Sequence, residues 1–375
     1  MKFVATADWQ LGMSAHFLPG EARSRYQQAR FDAVRRIGEV AASRGADFVL
    51  VCGDVFESNQ LGRAVVSRAG EVLRDYTVPV LLLPGNHDPL DGASIYGSAA
   101  FSERMPGHVR VIRDATPFEV VPGVEVVGAP WFSKRPASDL VADAVSTLEA
   151  PPPGVLRVIA AHGALRSLSP DRDSLSAIDD ARLASIIDDG LAQVAIVGDR
   201  HSTYRAHPAI WYPGTPEVTD RRENDPGNVL LIEADHQGVR VEKIPVGVWS
   251  FRVVREEINS SEDVESLSRL LNAMPGKERT AVWLALSGTL STAEKTHLDD
   301  VVESAGEVFA HLSHWARHTD LAVLPDNQDF AGLGLSGFAA EALTDLSERA
   351  SCGGQDAATA QEALSLLYRL VGGAR

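Results

Sequence analysis

The chain has 375 residues, of which 45% are hydrophobic and only 6% aromatic. That is enough apolar material for a large core and, by length, for two or three domains. A formal net charge of -16 excludes a generally basic nucleic-acid coat, so a phosphate-rich partner must meet a local basic patch or a metal site.

Taken in order, residues 2–7 read as a strand ending at Asp8-Trp9-Gln10. Residues 22–44 come next as a helix with Phe31, Val34, Ile37 and Val40 on one stripe. Residues 46–52 are a second strand, ending at Gly53-Asp54, and residues 61–74 a second helix. Residues 78–83 are a third strand, which stops at Pro84-Gly85 and presents Asn86-His87-Asp88. A looser stretch with Pro106, Pro117, Pro122 and Pro130 contains a strand at 124–127. Residues 138–149 read as a helix, broken by Pro151-Pro152-Pro153. Residues 155–161 are a strand ending at His162-Gly163, residues 181–187 a helix, and residues 194–197 a strand ending at Gly198-Asp199-Arg200-His201. A short strand at 210–212 and a hairpin of 229–233 with 239–244 complete this part.

Composition changes after Val248. Strand 251–258, helix 261–274, strand 280–286, helix 292–309 and a strand within 311–323 give a β-α-β-α-β order, that of a small two-layer domain. Two helices, 337–350 and 357–371, come after a loop-like stretch, with Leu343, Leu346, Leu364, Leu367 and Leu370 as a facing stripe. The two cysteines, Cys52 and Cys352, form neither a zinc spacing nor a disulfide framework, which fits a reducing cytoplasm. The N-terminal apolar run is too short for a signal peptide core. No run approaches the about 20 residues needed to cross a bilayer, so no membrane partner is expected.

Asp8, Gln10, Asp54, Asn86, His87, His162, Asp199 and His201 each come after an apolar run. A parallel-rich sheet would bring such tips to one edge. Mixed carboxylate, amide and imidazole donors suit two divalent ions, with a carboxylate such as Asp54 bridging them, and that pairing serves in-line phosphoryl displacement.

These motifs, with Thr6-Ala7-Asp8-Trp9-Gln10-Leu11-Gly12 and Tyr212-Pro213-Gly214-Thr215-Pro216-Glu217, resemble those of calcineurin-like metallophosphoesterases, the SbcD-type DNA repair nucleases most of all. The resemblance spans about residues 1–325. It implies an α/β fold: a four-layer α/β/β/α metallophosphoesterase sandwich at 1–248, a small α/β capping domain at 249–325 and a C-terminal helical tail at 326–375. It also implies a two-metal DNA nuclease working with an SbcC-type SMC-like ATPase that docks on the tail, in a chain that can pair as a homodimer. Asp8, Gln10, Asp54 and His201 would hold the first cation, and Asp54, Asn86, His162 and Asp199 the second. His87 would be the acid facing the leaving group, oriented by Asp88.

Gln10 and Asp199 stand where the family has histidine. Oxygen donors in their place favour harder ions, so Mn²⁺ is expected, with Mg²⁺ the alternative. A phosphodiesterase or phosphatase for a small phosphoester shares the same site, and a non-catalytic scaffold is the reading that Gln10 and Asp199 favour. His16 is a substrate-contact candidate in the loop after the first motif. Arg200, Tyr204 and Arg205, with Trp211, Arg221 and Arg222, stand either as a local patch for DNA or as a solvated loop paired with Asp220, Glu223 and Asp225.

Overall fold

The computed structural model describes residues 1–171, 174–324 and 336–351, together with residues 359, 360, 363, 364, 366 and 367. The chain divides into two units, Met1–His16 with Arg23–Trp249, and Phe17–Ala22 with Ser250–Arg375. No helix among the described residues is long and apolar enough to cross a membrane.

In the first unit, β1 (Lys2–Thr6), α1 (Gly20–Arg44), β2 (Phe48–Cys52), α2 (Arg63–Arg74), β3 (Val80–Leu83), α3 (Ala99–Arg104) and β4 (Val109–Val111) run in that order. Then come β5 (Phe118–Val121), β6 (Val124–Gly128), α4 (Leu140–Val145), β7 (Leu156–His162), α5 (Asp180–Asp188) and β8 (Val194–Gly198). Finally β9 (Tyr204–His207), β10 (Ile210–Tyr212), β11 (Asn228–Asp235) and β12 (Gly238–Pro245) complete it. The strands form two six-stranded sheets, ordered β12-β11-β1-β2-β3-β4 and β5-β6-β7-β8-β10-β9. Neighbours from β1 to β4 are parallel, as are β6 to β8 and β10. The continuous apolar runs at β2, β3 and β8 are buried at every residue, as strands covered on both faces must be.

Alternation along these strands sorts the core. Val4, Val49, Val51 and Leu82 pack with Phe31, Val34 and Ile37 of α1 and Val66 and Leu73 of α2. Phe3, Ala5, Phe48 and Leu50 belong to a second cluster with Val126, Val158, Ala160 and Ile196 of the other sheet. Phe3 and Phe48 stack there with centroids 4.8 Å apart. Register then sets the tips level: Thr6 pairs with Val51, Cys52 with Leu83, and His162 with Gly198. The loops that leave these strand ends therefore emerge at one edge of each sheet.

Two expectations change in this unit. The helix expected over 138–149 is the shorter α4, capped by Asp139, whose carboxylate accepts from the N–H groups of Val141 and Ala142. It ends early because the Ser146 hydroxyl bonds back to the Asp143 carbonyl at 2.8 Å, an alternative to extending the ladder. The proline-rich stretch also holds β4 and β5, half-buried strands whose sequences lack a clean period.

The second unit comprises β13 (Ser250–Glu257), α6 (Ser261–Ala273), β14 (Thr280–Ser291), α7 (Thr292–Gly306), β15 (His311–His314), β16 (Asp320–Leu324) and α8 (Phe338–Ser351). All its strand pairings are parallel, and the long β14 pairs with β13, β15 and β16. Ser260 caps α6, and Ser291 with Glu294 forms a capping box on α7. The last strand expected within 311–323 is two strands, because a turn at Trp315–His318 breaks it. Phe17 belongs to this unit, its ring packed edge-on against Phe251, Trp283 and His311 at 5.3, 5.1 and 5.6 Å. Leu343 and Leu364 of the leucine stripe are buried; Leu370 and much of the second expected tail helix lie outside the described residues.

Candidate metal centre

The loops after β1 and β2 run side by side, joined by Asp8 N–H to the Gly53 carbonyl at 3.0 Å and Gln10 N–H to the Asp54 carbonyl at 2.8 Å. This zipper sets Asp8 beside Asp54. Asp8, Gln10, Asp54 and Asp199 have φ of 54, 41, 52 and 87°, and among the described residues no other non-glycine residue has positive φ. Such backbone costs about 1–3 kcal/mol per residue and persists where the surroundings impose it. Here all four strained residues belong to the expected ligand set.

Arg30 of α1 supports the first loop. Its buried guanidinium donates to the Trp9 carbonyl at 2.6 and 3.1 Å, the Glu217 carbonyl at 3.2 Å and the Tyr26 hydroxyl at 2.9 Å. Two glycines admit the converging side chains. A Cβ on Gly53 would sit 2.0 Å from His162 Nδ1, and one on Gly85 would sit 2.2 Å from Asp54 Oδ1.

Asp8, Asp54 and His162 are buried, and each offers a donor atom within 4.8 Å of the other two. His162 Nε2 lies 3.4 Å from Asp54 Oδ1, 2.7 Å from Asn86 Oδ1 and 3.9 Å from Asp199 Oδ1. Its Nδ1 faces the Cys52 carbonyl at 2.9 Å and lies 3.9 Å from Asp8 Oδ1, an arrangement that turns Nε2 toward Asp54, Asn86 and Asp199, as in imidazoles that bind metals. Asp199 N–H donates to both oxygens of Asp8, at 3.1 and 3.2 Å. His201 Nε2 meets Gln10 Nε2 at 3.3 Å, and its Nδ1 lies 2.7 Å from Thr219 Oγ1 and 2.9 Å from Glu223 Oε1. The Gln10 amide must turn its oxygen inward to ligate, an orientation that an exchange of O and N supplies.

Electrostatics agree with a cation-seeking cluster. Burial, with the charges of Asp54 and Asp199, raises the Asp8 carboxyl to about 7 against the pull of His201 and His162. Burial also opposes ionisation of Asp54, yet the charge and hydrogen bond of His162, with His87, hold it below the usual carboxylate range. Burial disfavours a charged His201, but Glu223 and Asp8 outweigh it and bring the imidazole to about 9. No lysine or arginine among the described residues pairs with the Asp8 or Asp54 carboxylate. Two buried carboxylates with histidine but no lysine or arginine beside them fit divalent cations, whose ligation would displace the proton of Asp8.

His87 stands at the open side. Its N–H donates to Asp54 Oδ1 at 2.9 Å, its Nδ1 lies 3.0 Å from the Glu57 carbonyl, and its Nε2 lies 3.9 Å from Asp54 Oδ2. Asp88 does not orient it by a hydrogen bond. That buried carboxylate accepts from Gly85 N–H at 2.8 Å, Phe56 N–H at 2.9 Å and the Tyr96 hydroxyl at 2.6 Å, so it braces the loop that carries Asn86 and His87. Burial, then the Asp54 charge, raises it to about 6.

The outlying candidates divide. The hydrogen bonds of His16 go to Ser14 and Arg23, not to the cluster. Arg200 lies over the Tyr204 ring at 4.6 Å and Arg205 over Trp211 at 5.5 Å, on the exposed edge strand β9 and the turn before it. Arg222 pairs with Asp220 at 2.9 Å, which takes it out of a basic patch. Glu57, Glu223 and Arg30 have roles that the sequence did not disclose, since each acts through a partner remote in the chain.

The profile of calcineurin-like phosphoesterases matches residues 1–231. The chain is 23% identical over 331 residues to YhaO of Bacillus subtilis (strain 168), described as an uncharacterized metallophosphoesterase, covering 82% of this chain and 78% of that protein. Among solved structures, TT1561 of Thermus thermophilus matches at 13% identity with a TM-score of 0.42, over 65% of this chain and 98% of its own. A dimetal phosphatase from Danio rerio matches at 14% identity with a TM-score of 0.42, over 66% of this chain and 96% of its own.

Proposed function

From the premise that this chain belongs to the calcineurin-like phosphoesterase family, we propose that it is a two-metal DNA nuclease, hydrolysing phosphodiester bonds in the cytoplasm alongside an SMC-like ATPase of the SbcC type. The observation that carries the hydrolytic part is the convergence of Asp8, Asp54 and His162 within 4.8 Å, with Asn86 on His162.

Asp8, Gln10, Asp54 and His201 would hold one cation, and Asp54, Asn86, His162 and Asp199 the other, with Mn²⁺ favoured by the oxygen-rich set. When bound, divalent cations neutralise the ester's charge and supply an activated water. The Cys52 carbonyl and the Thr219–Glu223 pair engage Nδ1 of His162 and of His201, so Nε2 of each would be the nitrogen offered to a cation. His87, held at Nδ1 by the Glu57 carbonyl, keeps Nε2 free to pass a proton to the departing oxygen. Gly85 brings the loop against Asp54, and Asp88 keeps it there. Arg200 on Tyr204 and Arg205 on Trp211 supply the cationic and aromatic surface that a strand needs on an acidic protein. The C-terminal helices would carry the ATPase contact.

The test is cleavage of single- and double-stranded DNA with Mn²⁺, beside a chromogenic phosphodiester, for the wild type and His87→Ala. DNA cleavage lost in the variant with metal retained supports the reading. Turnover of the chromogenic ester alone moves the substrate to a small phosphoester, the alternative that the net charge of -16 favours. Metal uptake with no cleavage of either leaves a scaffold.

A further inference from the structure

Beside the metal centre lies a cavity that the proposed chemistry leaves unused. Its volume is about 150 Å³, and its lining includes Asn86 and Asp199 of the centre together with Lys134, Ser174 and Ser176. Trp131 forms another part of the wall and is fixed there, since its Nε1–H donates to the His162 carbonyl at 2.8 Å. The cavity therefore shares Asn86 and Asp199 with the donor cluster and is tied to it through His162.

Its chemistry is that of an anion site. Lys134 is exposed, and its ammonium has no hydrogen bond or ion pair among the described residues. The Ser174 and Ser176 hydroxyls lie 3.1 Å apart. One donates to the other, so one O–H of the pair is left for a ligand. Ser169, also in the lining, is occupied by Asp171, donating to its carbonyl at 2.7 Å and accepting from its N–H at 3.2 Å. Pockets that enclose a drug-sized ligand start near 300 Å³, roughly twice this volume, so the cavity takes a fragment such as a phosphate group and not a whole nucleoside. Phe132, two residues before Lys134, is 52% exposed and gives the same loop an aromatic face for the attached base. Asp199 on the wall opposes a free anion, so the site is attractive only when cations offset that carboxylate.

We propose that this cavity is a subsite for the phosphate adjoining the scissile one, with Lys134 and the Ser174–Ser176 pair as its donors. The assignment rests on the phosphodiesterase reading and sharpens it, because it selects substrates with a second phosphate one nucleotide away and ignores a lone phosphoester.

The experiment uses the full chain loaded with Ca²⁺ to suppress hydrolysis. Titration calorimetry compares a thymidine dinucleotide carrying a 5′-phosphate with the same dinucleotide lacking it. The phosphorylated probe is expected to bind about tenfold more tightly to the wild type, the share of one charge-assisted hydrogen bond. Lys134→Ala is expected to bring the two probes within about twofold, and Lys134→Arg to keep most of the preference. Equal affinities in the wild type, or a preference that survives Lys134→Ala, overturn the subsite. Hydrolysis in Mn²⁺ separates the two levels. If neither probe is cut but the preference depends on Lys134, the phosphodiesterase reading fails and the phosphate subsite stands. If both are cut with no Lys134-dependent preference, the reverse holds.

Discussion

Nδ1 of His162 stands 2.9 Å from the carbonyl oxygen of Cys52, a residue 110 positions earlier. The bond passes between the two sheets and turns Nε2 toward Asp54 Oδ1, 3.4 Å away, while Nδ1 itself lies 3.9 Å from Asp8 Oδ1. Because the other nitrogen is committed, His162→Gln cannot restore both contacts. The variant is expected to bind one divalent ion fewer per chain and to lose about 100-fold or more in phosphoester turnover. Metal analysis after gel filtration, beside a turnover assay, checks both.

Gln10 and Asp199 stand where the resemblance leads one to expect histidine, and both have left-handed backbone. Exchanging either for alanine is expected to lower metal stoichiometry; unchanged stoichiometry removes them from the ligand set. Gln10→His places a second imidazole beside His201 and is expected to move metal preference toward Zn²⁺, read by competition between Mn²⁺ and Zn²⁺.

Arg30 supports the Asp8–Gln10 loop from inside α1. Arg30→Met removes both donors of the Trp9 carbonyl and one donor of the Glu217 carbonyl while filling the space. The Glu217 carbonyl keeps Thr215 Oγ1 and the Tyr26 hydroxyl keeps the Val218 carbonyl, so the stranded Trp9 carbonyl is expected to cost about 1–3 kcal/mol. Denaturant unfolding gives the stability, and a metal titration shows whether the surviving fold still takes up ions.

Metal uptake should be proton-linked. The Asp8 carboxyl at about 7 and the His201 imidazole at about 9 hold protons that ligation displaces. Apparent Mn²⁺ affinity is therefore expected to rise between about pH 6 and about pH 9, with proton release measurable in weak buffer. A flat affinity across that range contradicts the ligand assignment.

Glu217 gives a pH effect outside the donor cluster. Burial raises its carboxyl, against the N–H groups of Trp249 and Val248 that favour the charged form. A raised folded value means that the native state binds the proton more tightly than the unfolded chain. The contribution is present below the unfolded value of 4.5 and is lost as pH rises through the folded one. Glu217→Gln is expected to flatten the fall in stability above about pH 4.5, seen by thermal unfolding in a chelator.

Strand tips were legible because buried strands leave long apolar runs, and a carboxylate or imidazole directly after one has no core to enter. Asp8, Asp54, Asn86 and His162 stood out for that reason. β4, β5 and β9 did not, being short and partly exposed at sheet edges. Roles that depend on distant pairing were also hidden. Nothing local marks Glu223 as the partner of His201, 22 residues before it, or Asp88 as a brace for Phe56 and not for His87. Lys134 carries no motif and gains meaning only from the cavity that surrounds it.

The inclusion of Phe17–Ala22 in the second unit bears on how the protein is made and dissected. During synthesis this segment leaves the ribosome well before β13 and must wait, unburied, until Phe251, Trp283 and His311 arrive to receive its ring. A fragment expressed from Ser250 onward would lack that ring and present a greasy notch to other chains. Appending a peptide that contains residues 17–22 is the remedy the packing suggests.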